Sequence, residues 1–81
     1  MNDLFDFYEL FVIYEFTYHC NGQLCSKTPY LNSQIHGIRE LYYNNGILLS
    51  ITTFIIGKTH GTEYIYNKNG MKMMEIQTIN G

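Results

Sequence analysis

The chain has 81 residues, of which 46% are hydrophobic and 15% are charged, and its formal net charge is -2. A chain of this length forms one small domain, and this composition excludes an intrinsically disordered protein. The near-neutral charge also excludes the basic surface by which proteins bind nucleic acids.

The first predicted element is an apolar but acidic N-terminal segment, residues 1–11. The first sixteen residues contain Asp3, Asp6, Glu9 and Glu15 and no basic residue. A secretion signal needs a cationic start, and a membrane-spanning helix needs about 20 uninterrupted apolar residues. Neither fits, so we expect a soluble, cytoplasmic protein.

This segment has two possible conformations. Residues 3–10 could form a short helix with Asn2 or Asp3 as its N-cap. Its apolar residues would then lie on one side of the helix: Leu4, Phe7, Tyr8 and Phe11. An alternating pattern typical of a strand begins near Leu10.

The remainder of the chain repeats itself. The stretches "HGIRELYYNNG" at 36–46 and "HGTEYIYNKNG" at 60–70 align when the chain is shifted so that His36 lies on His60. A second shift by the same number of residues aligns Tyr18 with Tyr42. Each copy contains Asn-Gly, at 21–22, 45–46 and 69–70. Asn-Gly between alternating apolar runs is the strongest local signal of a β-hairpin. We therefore predict three tandem hairpin repeats, at about 12–35, 36–59 and 60–81, in an antiparallel all-β meander.

The predicted turn fixes which residues face each other. A three-residue loop closed by Gly46 in the left-handed region places Tyr42 opposite Leu48, and likewise Tyr18 opposite Leu24. An even period keeps equivalent side chains on one face of the sheet. The expected core clusters are Tyr18, Leu24 and Tyr30, and Tyr42, Leu48 and Phe54. In the third repeat Lys72 and Thr78 take two of these positions, a change that fits either an end cap or a decayed repeat.

The middle hairpin is predicted to be apolar on both faces. A solvated sheet face is normally polar, so either the N-terminal segment, a partner protein or a second copy should cover the second face. This candidate partner-binding face consists of the odd-numbered residues Leu41, Tyr43, Ile47, Leu49, Ile51 and Ile55.

The side chains with reactive or metal-binding potential do not suggest a site. His19, Cys20, Cys25 and His36 are potential zinc ligands, but zinc requires tetrahedral convergence. Cys20 is expected in a loop and Cys25 opposite Thr17, which keeps the thiols apart and reduced. We therefore expect no metal, no cofactor and no catalytic residues.

The recurring histidines and glycines have a structural explanation. His36 and His60 are expected to be turn residues that pack beside the adjoining hairpin. The glycines are expected to adopt a positive φ at turns instead of cradling phosphate, because none opens a predicted helix. They are Gly37, Gly46, Gly57, Gly61 and Gly70.

One sequence pattern resembles that of a known family. The pattern Gly-x4-Tyr-x2-Asn-Gly-x-Leu-x5-aromatic-x2-Gly is intact from Gly37 to Gly57 as "GIRELYYNNGILLSITTFIIG". It resembles the MORN (membrane occupation and recognition nexus) repeat, in the variant form of bacterial antitoxin-like proteins and large DNA viruses. The resemblance extends over about residues 12–81. The repeat positions that it implies are Tyr18, Gly22, Gly37, Tyr42, Gly46, Leu48, Phe54, Gly57, Gly61, Tyr66 and Gly70.

The resemblance implies an elongated, twisted meander of hairpins without a catalytic centre. The expected function is that of a non-enzymatic protein-interaction module or scaffold, which binds a protein or a second copy through a sheet edge or an apolar face. The alternatives are an antitoxin-like neutralising protein, a membrane-associated protein, and a remnant of a longer repeat array.

Overall fold

A computed structural model describes residues 11–78, and this part of the chain is all β, as the sequence predicts. The predicted helix at residues 3–10 lies outside the described residues. The strands are β1 (Ile13–Tyr18), β2 (Leu24–Leu31), β3 (Gln34–Ile35), β4 (Gly37–Tyr42), β5 (Leu48–Ile55), β6 (Lys58–Thr59), β7 (Gly61–Tyr66) and β8 (Lys72–Thr78).

All eight strands belong to one antiparallel sheet. The strand order is β1-β2-β4-β5-β7-β8, while β3 pairs with β2 and β6 pairs with β5. The sheet is thus built from three long hairpins: β1 with β2, β4 with β5, and β7 with β8. Their first strands begin at Ile13, Gly37 and Gly61, which are evenly spaced along the chain.

The long hairpins close through the predicted three-residue turn. In the middle hairpin the Gly46 N–H donates to the Tyr43 carbonyl at 3.1 Å, and the Tyr43 N–H donates to the Ile47 carbonyl at 2.9 Å. Gly46 has a φ of 89°. Tyr42 therefore lies opposite Leu48, and Tyr18 lies opposite Leu24, which confirms the predicted pairing.

Each long hairpin contains a β-bulge immediately after this pair. Thr17 lies opposite Ser26 while Tyr18 lies opposite Leu24, so Cys25 has no partner on β1. Leu49 and Met73 occupy the same position in the other two hairpins. The prediction that Cys25 lies opposite Thr17 is therefore wrong, because it did not include this extra residue.

The bulge also changes which side chains share a face. Tyr30 lies opposite Ile13, and Ile13 is five positions before Tyr18 in β1. Side chains an odd number of positions apart point to opposite faces of a strand, so Tyr30 lies on the other face from Tyr18 and Leu24. Phe54 is separated from Tyr42 and Leu48 in the same way, since it lies opposite Gly37. The two predicted aromatic-leucine-aromatic clusters are therefore wrong.

Two rows of directly paired residues cross the whole sheet and define its faces. One row consists of Phe16, Lys27, Glu40, Ile51, Tyr64 and Glu75. The adjacent row, on the other face, consists of Thr17, Ser26, Leu41, Ser50, Ile65 and Met74. Tyr18, Tyr42 and Tyr66 are two positions from members of the first row, so all three share its side, here called the tyrosine face. The other side is called the Phe54 face.

The core is thin, as expected for one sheet of this size. Among the described apolar residues, Leu31 is 3% exposed and Phe54 is 8% exposed. Ser50 and Thr52 are each only 2% exposed and lie on the Phe54 face beside Phe54. Two of the most buried positions on this face are therefore occupied by small hydroxyl side chains.

Two short connections join the long hairpins. Asn32 and Ser33 link β2 to β3 with φ values of 52° and 67°, and Ile56 and Gly57 link β5 to β6 with 45° and 82°. Two consecutive positive φ angles are the requirement of a two-residue type I′ turn. Strands β3 and β6 were not predictable from the sequence, because strands of two residues show no recognisable alternation.

Candidate functional site

The structure separates the six residues predicted to form a partner-binding face. Leu41 belongs to the Phe54 face, whereas Ile51 and Ile55 belong to the tyrosine face. Leu49 is the unpaired bulge residue, and the remaining two flank the Asn-Gly turn: Tyr43 and Ile47. The prediction that all six share one face is therefore wrong, because the bulge at Leu49 shifts the alternation of β5.

Exposed aromatic side chains are instead concentrated on β1. Tyr14, Phe16 and Tyr18 are 49%, 47% and 63% exposed, and their alternate positions in the strand place all of them on the tyrosine face. The Tyr14 and Phe16 rings are tilted by 33° with centroids 6.5 Å apart. Tyr18 follows on the same face of the strand, and we call these three residues the β1 stripe.

Charged side chains border the β1 stripe. Lys27 lies opposite Phe16, and its ammonium group lies 4.9 Å from the centroid of the Tyr14 ring. Glu40 lies opposite Lys27 on the next long strand. The stripe therefore combines an apolar surface with a cation and a nearby carboxylate, which is the composition of many protein-binding surfaces.

Tyr42 on the tyrosine face has a raised pKa. Its hydroxyl donates to Glu40 Oε1 at 2.7 Å. This hydrogen bond, together with burial and the carboxylate charge, raises the pKa of Tyr42 to about 12. The bond fixes the carboxylate that lies between Lys27 and Ile51 in the row.

Adjacent hairpins are tied together at their turns. His19 Nε2 lies 2.8 Å from the Tyr42 carbonyl oxygen, and at the next boundary the Tyr43 hydroxyl donates to the Tyr66 carbonyl at 2.8 Å. His19 and Tyr43 occupy equivalent positions in the first and second repeats. Their side chains differ in chemistry, but each bonds a backbone carbonyl of the next hairpin. This equivalence is not visible in the sequence because the two residue types differ.

The cysteines and the repeated histidines occupy turns and strand ends. Cys20 is exposed in the first turn, Cys25 is half-buried at the first bulge, and both thiols are free. His36 Nδ1 accepts a hydrogen bond from the Ile56 N–H at 3.2 Å, so it contacts the turn between β5 and β6 of its own repeat. In residues 11–78 no three His, Cys, Asp or Glu side chains converge to hold a metal ion.

The opposite side of β1 borders a cleft of about 560 Å³. The cleft is lined by Phe11, Ile13, Glu15, Tyr30, Asn32 and Ser33. Tyr30 donates its hydroxyl to Glu15 Oε1 at 3.3 Å, and desolvation followed by the nearby Glu15 charge raises the pKa of Tyr30. These two polar side chains of the cleft are therefore hydrogen-bonded to each other.

The β1 stripe was not singled out from the sequence. The alternation of Val12, Tyr14, Phe16 and Tyr18 predicted a strand, and only the strand order shows that, among residues 11–78, this strand lies at the edge of the sheet. Exposure of the three rings depends on that position. The excess of aromatic residues in the first strand was the one available signal.

No helix in the described part of the chain is both long enough and apolar enough to cross a membrane.

Residues 35–55 match the family model of the MORN repeat variant. The matched stretch contains β4, the Asn-Gly turn and β5, and it overlaps the sequence pattern from Gly37 to Gly57 that suggested this repeat. The comparison with curated proteins found no match, and neither did the comparison with solved structures.

Proposed function

We propose that the chain is a non-enzymatic repeat module that binds a protein partner through the β1 stripe on the tyrosine face. This proposal rests on the exposure of three aromatic residues on one face of β1: Tyr14, Phe16 and Tyr18 are 49%, 47% and 63% exposed. Three adjacent half-exposed aromatic rings leave a large apolar area in contact with water. Covering that area releases about 25 cal/mol for each Å² buried.

The chemistry of the stripe favours a protein as the occupant. Tyrosine and phenylalanine are enriched at the centre of protein interfaces, where they supply a large contact area and lose little side-chain entropy. The Tyr14 ring also contacts Lys27, which offers a cation to an acidic or carbonyl group of the partner. A partner surface with apolar side chains and an acidic rim would fit this arrangement.

The sheet presents the stripe on a fixed support. β1 pairs with β2 along its whole length, from Ile13 opposite Tyr30 to Tyr18 opposite Leu24. A rigid stripe binds with less loss of conformational entropy than a loop would. The match of residues 35–55 to the MORN repeat variant also supports this function, since MORN repeats generally act in interactions with proteins or membranes.

The proposal is tested by a double substitution, Tyr14→Ser with Tyr18→Ser. The matched control is Ile13→Ser, because Ile13 is 70% exposed on the same strand but on the Phe54 face. A partner captured from extracts of the source organism is purified, and its affinity for each variant is measured by calorimetry. We expect the double variant to bind at least tenfold more weakly, since each buried aromatic contributes about 1 kcal/mol or more.

Two outcomes would contradict the proposal. Equal losses of affinity in the double variant and in Ile13→Ser would show that the stripe has no special role. Flotation of the chain with anionic lipid vesicles, abolished by the double substitution, would assign the stripe to a membrane surface and not to a protein.

A further inference from the structure

Both outer strands of the sheet leave an edge unpaired within residues 11–78. β1 and β8 are the end strands, and each pairs on one side only. All six residues of β1 are exposed, and in β8 every residue before Thr78 is exposed. The edges carry large apolar side chains as well, including Ile13 and Tyr18 on β1 and Met74 and Ile76 on β8.

The sheet already shows how one hairpin pairs with the next. At the first boundary Ser26 lies opposite Leu41 and Lys27 opposite Glu40. At the second boundary Ser50 lies opposite Ile65 and Ile51 opposite Tyr64, so the same register recurs in the next repeat. In the third repeat the residues equivalent to Ser50 and Ile51 are Met74 and Glu75, which are therefore the pairing residues of β8. In the first repeat the residues equivalent to Leu41 and Glu40 are Thr17 and Phe16, which are therefore the pairing residues of β1.

A second contact recurs at the two boundaries, between neighbouring turns. Asn21 Nδ2 donates to the Asn44 carbonyl at 2.7 Å, and Asn45 Nδ2 donates to the Lys68 carbonyl at 3.1 Å. Asn69 is the equivalent donor in the third turn, and no residue in the described part of the chain accepts from its side chain. The equivalent acceptor on the first turn is the carbonyl of Cys20.

We propose that β8 of one copy of this chain pairs with β1 of a second copy, in the register that joins the hairpins within one copy. Met74 then lies opposite Thr17 of the second copy and Glu75 opposite its Phe16, and the Asn69 amide donates to its Cys20 carbonyl. The two edges are antiparallel in this arrangement, because the six long strands alternate in direction across the sheet. The second copy is favoured over an unrelated strand because its edge supplies both the register and the turn carbonyl.

The proposed contact is head-to-tail, so each added copy presents a new free edge. Such heterologous contacts produce open chains unless the rotation between copies closes a ring. Assembly therefore uses the backbone edges and is separate from partner binding by the β1 stripe. Phe16→Pro would alter both functions, whereas Glu75→Pro blocks the β8 edge and leaves all three residues of the β1 stripe in place, so partner binding is measured in that variant.

Two proline substitutions test the direction of the contact. The Tyr42 and Tyr66 carbonyls accept hydrogen bonds from the preceding hairpin, so these backbone groups point towards it. Tyr18 is the equivalent residue of β1, where no hairpin precedes it within residues 11–78, so its backbone groups point outward at the edge. Those of Phe16, two positions earlier in the strand, point the same way. Glu75 is equivalent to Lys27 and Ile51, which pair with the next hairpin, and it therefore points outward at β8. Phe16→Pro and Glu75→Pro each remove one outward N–H and block one edge.

The expected results form a complementation pattern. By light scattering after size exclusion, the wild-type chain should form oligomers whose mass rises with concentration, while each proline variant alone should be monomeric. An equimolar mixture of the two variants should give twice the mass of one chain, because each contributes one intact edge. A monomeric wild-type chain at every concentration would overturn the proposal. A dimer formed by either variant alone would also overturn it, since that result requires a symmetric contact.

A cross-linking experiment gives a second readout that does not depend on the proline variants. In a Cys25→Ser background, Asn69→Cys should form a disulfide with Cys20 of the next copy on mild oxidation. The matched control is Asn45→Cys, whose neighbour Lys68 lies within the same copy. Peptide mapping should identify the Cys20 peptide joined to the peptide that carries residue 69. Exclusive formation of symmetric links, or equal cross-linking of the control, would contradict the proposed register.

Discussion

Gly37 lies against the ring of Pro29, so that a Cβ atom on Gly37 would be 3.1 Å from Pro29 Cγ. Pro29 is among the most completely buried side chains described, and it lies opposite Tyr14 in the first hairpin. Glycine is therefore favoured at this position for two reasons: it allows the two hairpins to approach closely, and it adopts a positive φ of 120° without strain.

This contact predicts different costs for the same substitution in two hairpins. Gly61 is the equivalent glycine, with a φ of 80° and no atom within 4 Å of an added Cβ. Gly61→Ala should lose about 1–2 kcal/mol of unfolding free energy from backbone strain alone. Gly37→Ala should lose at least about 1 kcal/mol more, because a buried ring must also move. Denaturant unfolding of both variants measures the difference, and equal losses would show that Pro29 is not a barrier.

Local turn chemistry made part of the fold predictable from the sequence. The pair formed by Tyr42 and Leu48 depends on three loop residues and on the positive φ of Gly46, all of which the Asn-Gly signal specifies. The shared face of Tyr18, Tyr42 and Tyr66 follows from their equal and even spacing along the chain. Both features depend only on residues close together in the sequence or on a regular period.

The bulges and the candidate site were not predictable in the same way. The bulge residues are Cys25, Leu49 and Met73, which share no conformational preference that would mark the position. A bulge is fixed by the strain and twist of the paired strands, so its signal is distributed over both. The β1 stripe depends on the order of the strands across the sheet, which is a non-local property.

Tyr42 should ionise at an unusually high pH. Its hydrogen bond to Glu40 raises the pKa to about 12 from the ordinary value of 10.0, so the bond stabilises the folded chain fully below pH 10. That stabilisation is lost as the pH rises towards 12. A tyrosinate absorbance titration of the wild type minus that of Tyr42→Phe should show one group ionising near 12. Glu40→Gln should lower that pKa, and a difference curve centred near 10 in the wild type would contradict the assignment.

The two asparagines at equivalent turn positions should differ in their contribution to stability. Asn45 accepts from the Ile47 N–H at 3.0 Å and donates to the Lys68 carbonyl at 3.1 Å, so Asn45→Ala should lose about 1–2 kcal/mol. In the third turn Asn67 accepts from the Met71 N–H, so Asn69→Ala should change stability by less than about 0.5 kcal/mol. Thermal unfolding is measured at concentrations where the chain is monomeric. Asn45→Asp keeps the acceptor alone, and a stability equal to the wild type would rule out the bond to Lys68 as a contributor.

Ile56 is a strained residue that a single substitution should relieve. A β-branched side chain is unfavourable at its φ of 45°, and the residue is 46% exposed, so little burial compensates. Asn32 occupies the equivalent turn position in the first repeat with a φ of 52°. Ile56→Asn should therefore raise the unfolding free energy by about 1 kcal/mol. Ile55→Asn is the control, since Ile55 lies in β5 and outside the positive-φ region; equal effects of the two substitutions would contradict the role of strain.

Phe54 and Ile55 are neighbours in sequence but lie on opposite faces of β5, and truncation should distinguish them. Phe54 is 8% exposed beneath the Arg39 guanidinium, which lies 4.9 Å from its ring, whereas Ile55 is 45% exposed. Phe54→Ala should lose about 3–5 kcal/mol, a large part of the roughly 4–12 kcal/mol typical of a chain of this length. Ile55→Ala should lose about 1 kcal/mol or less. Urea unfolding of both variants tests the shift caused by the bulge at Leu49, and a greater loss from Ile55→Ala would place the core on the tyrosine face instead.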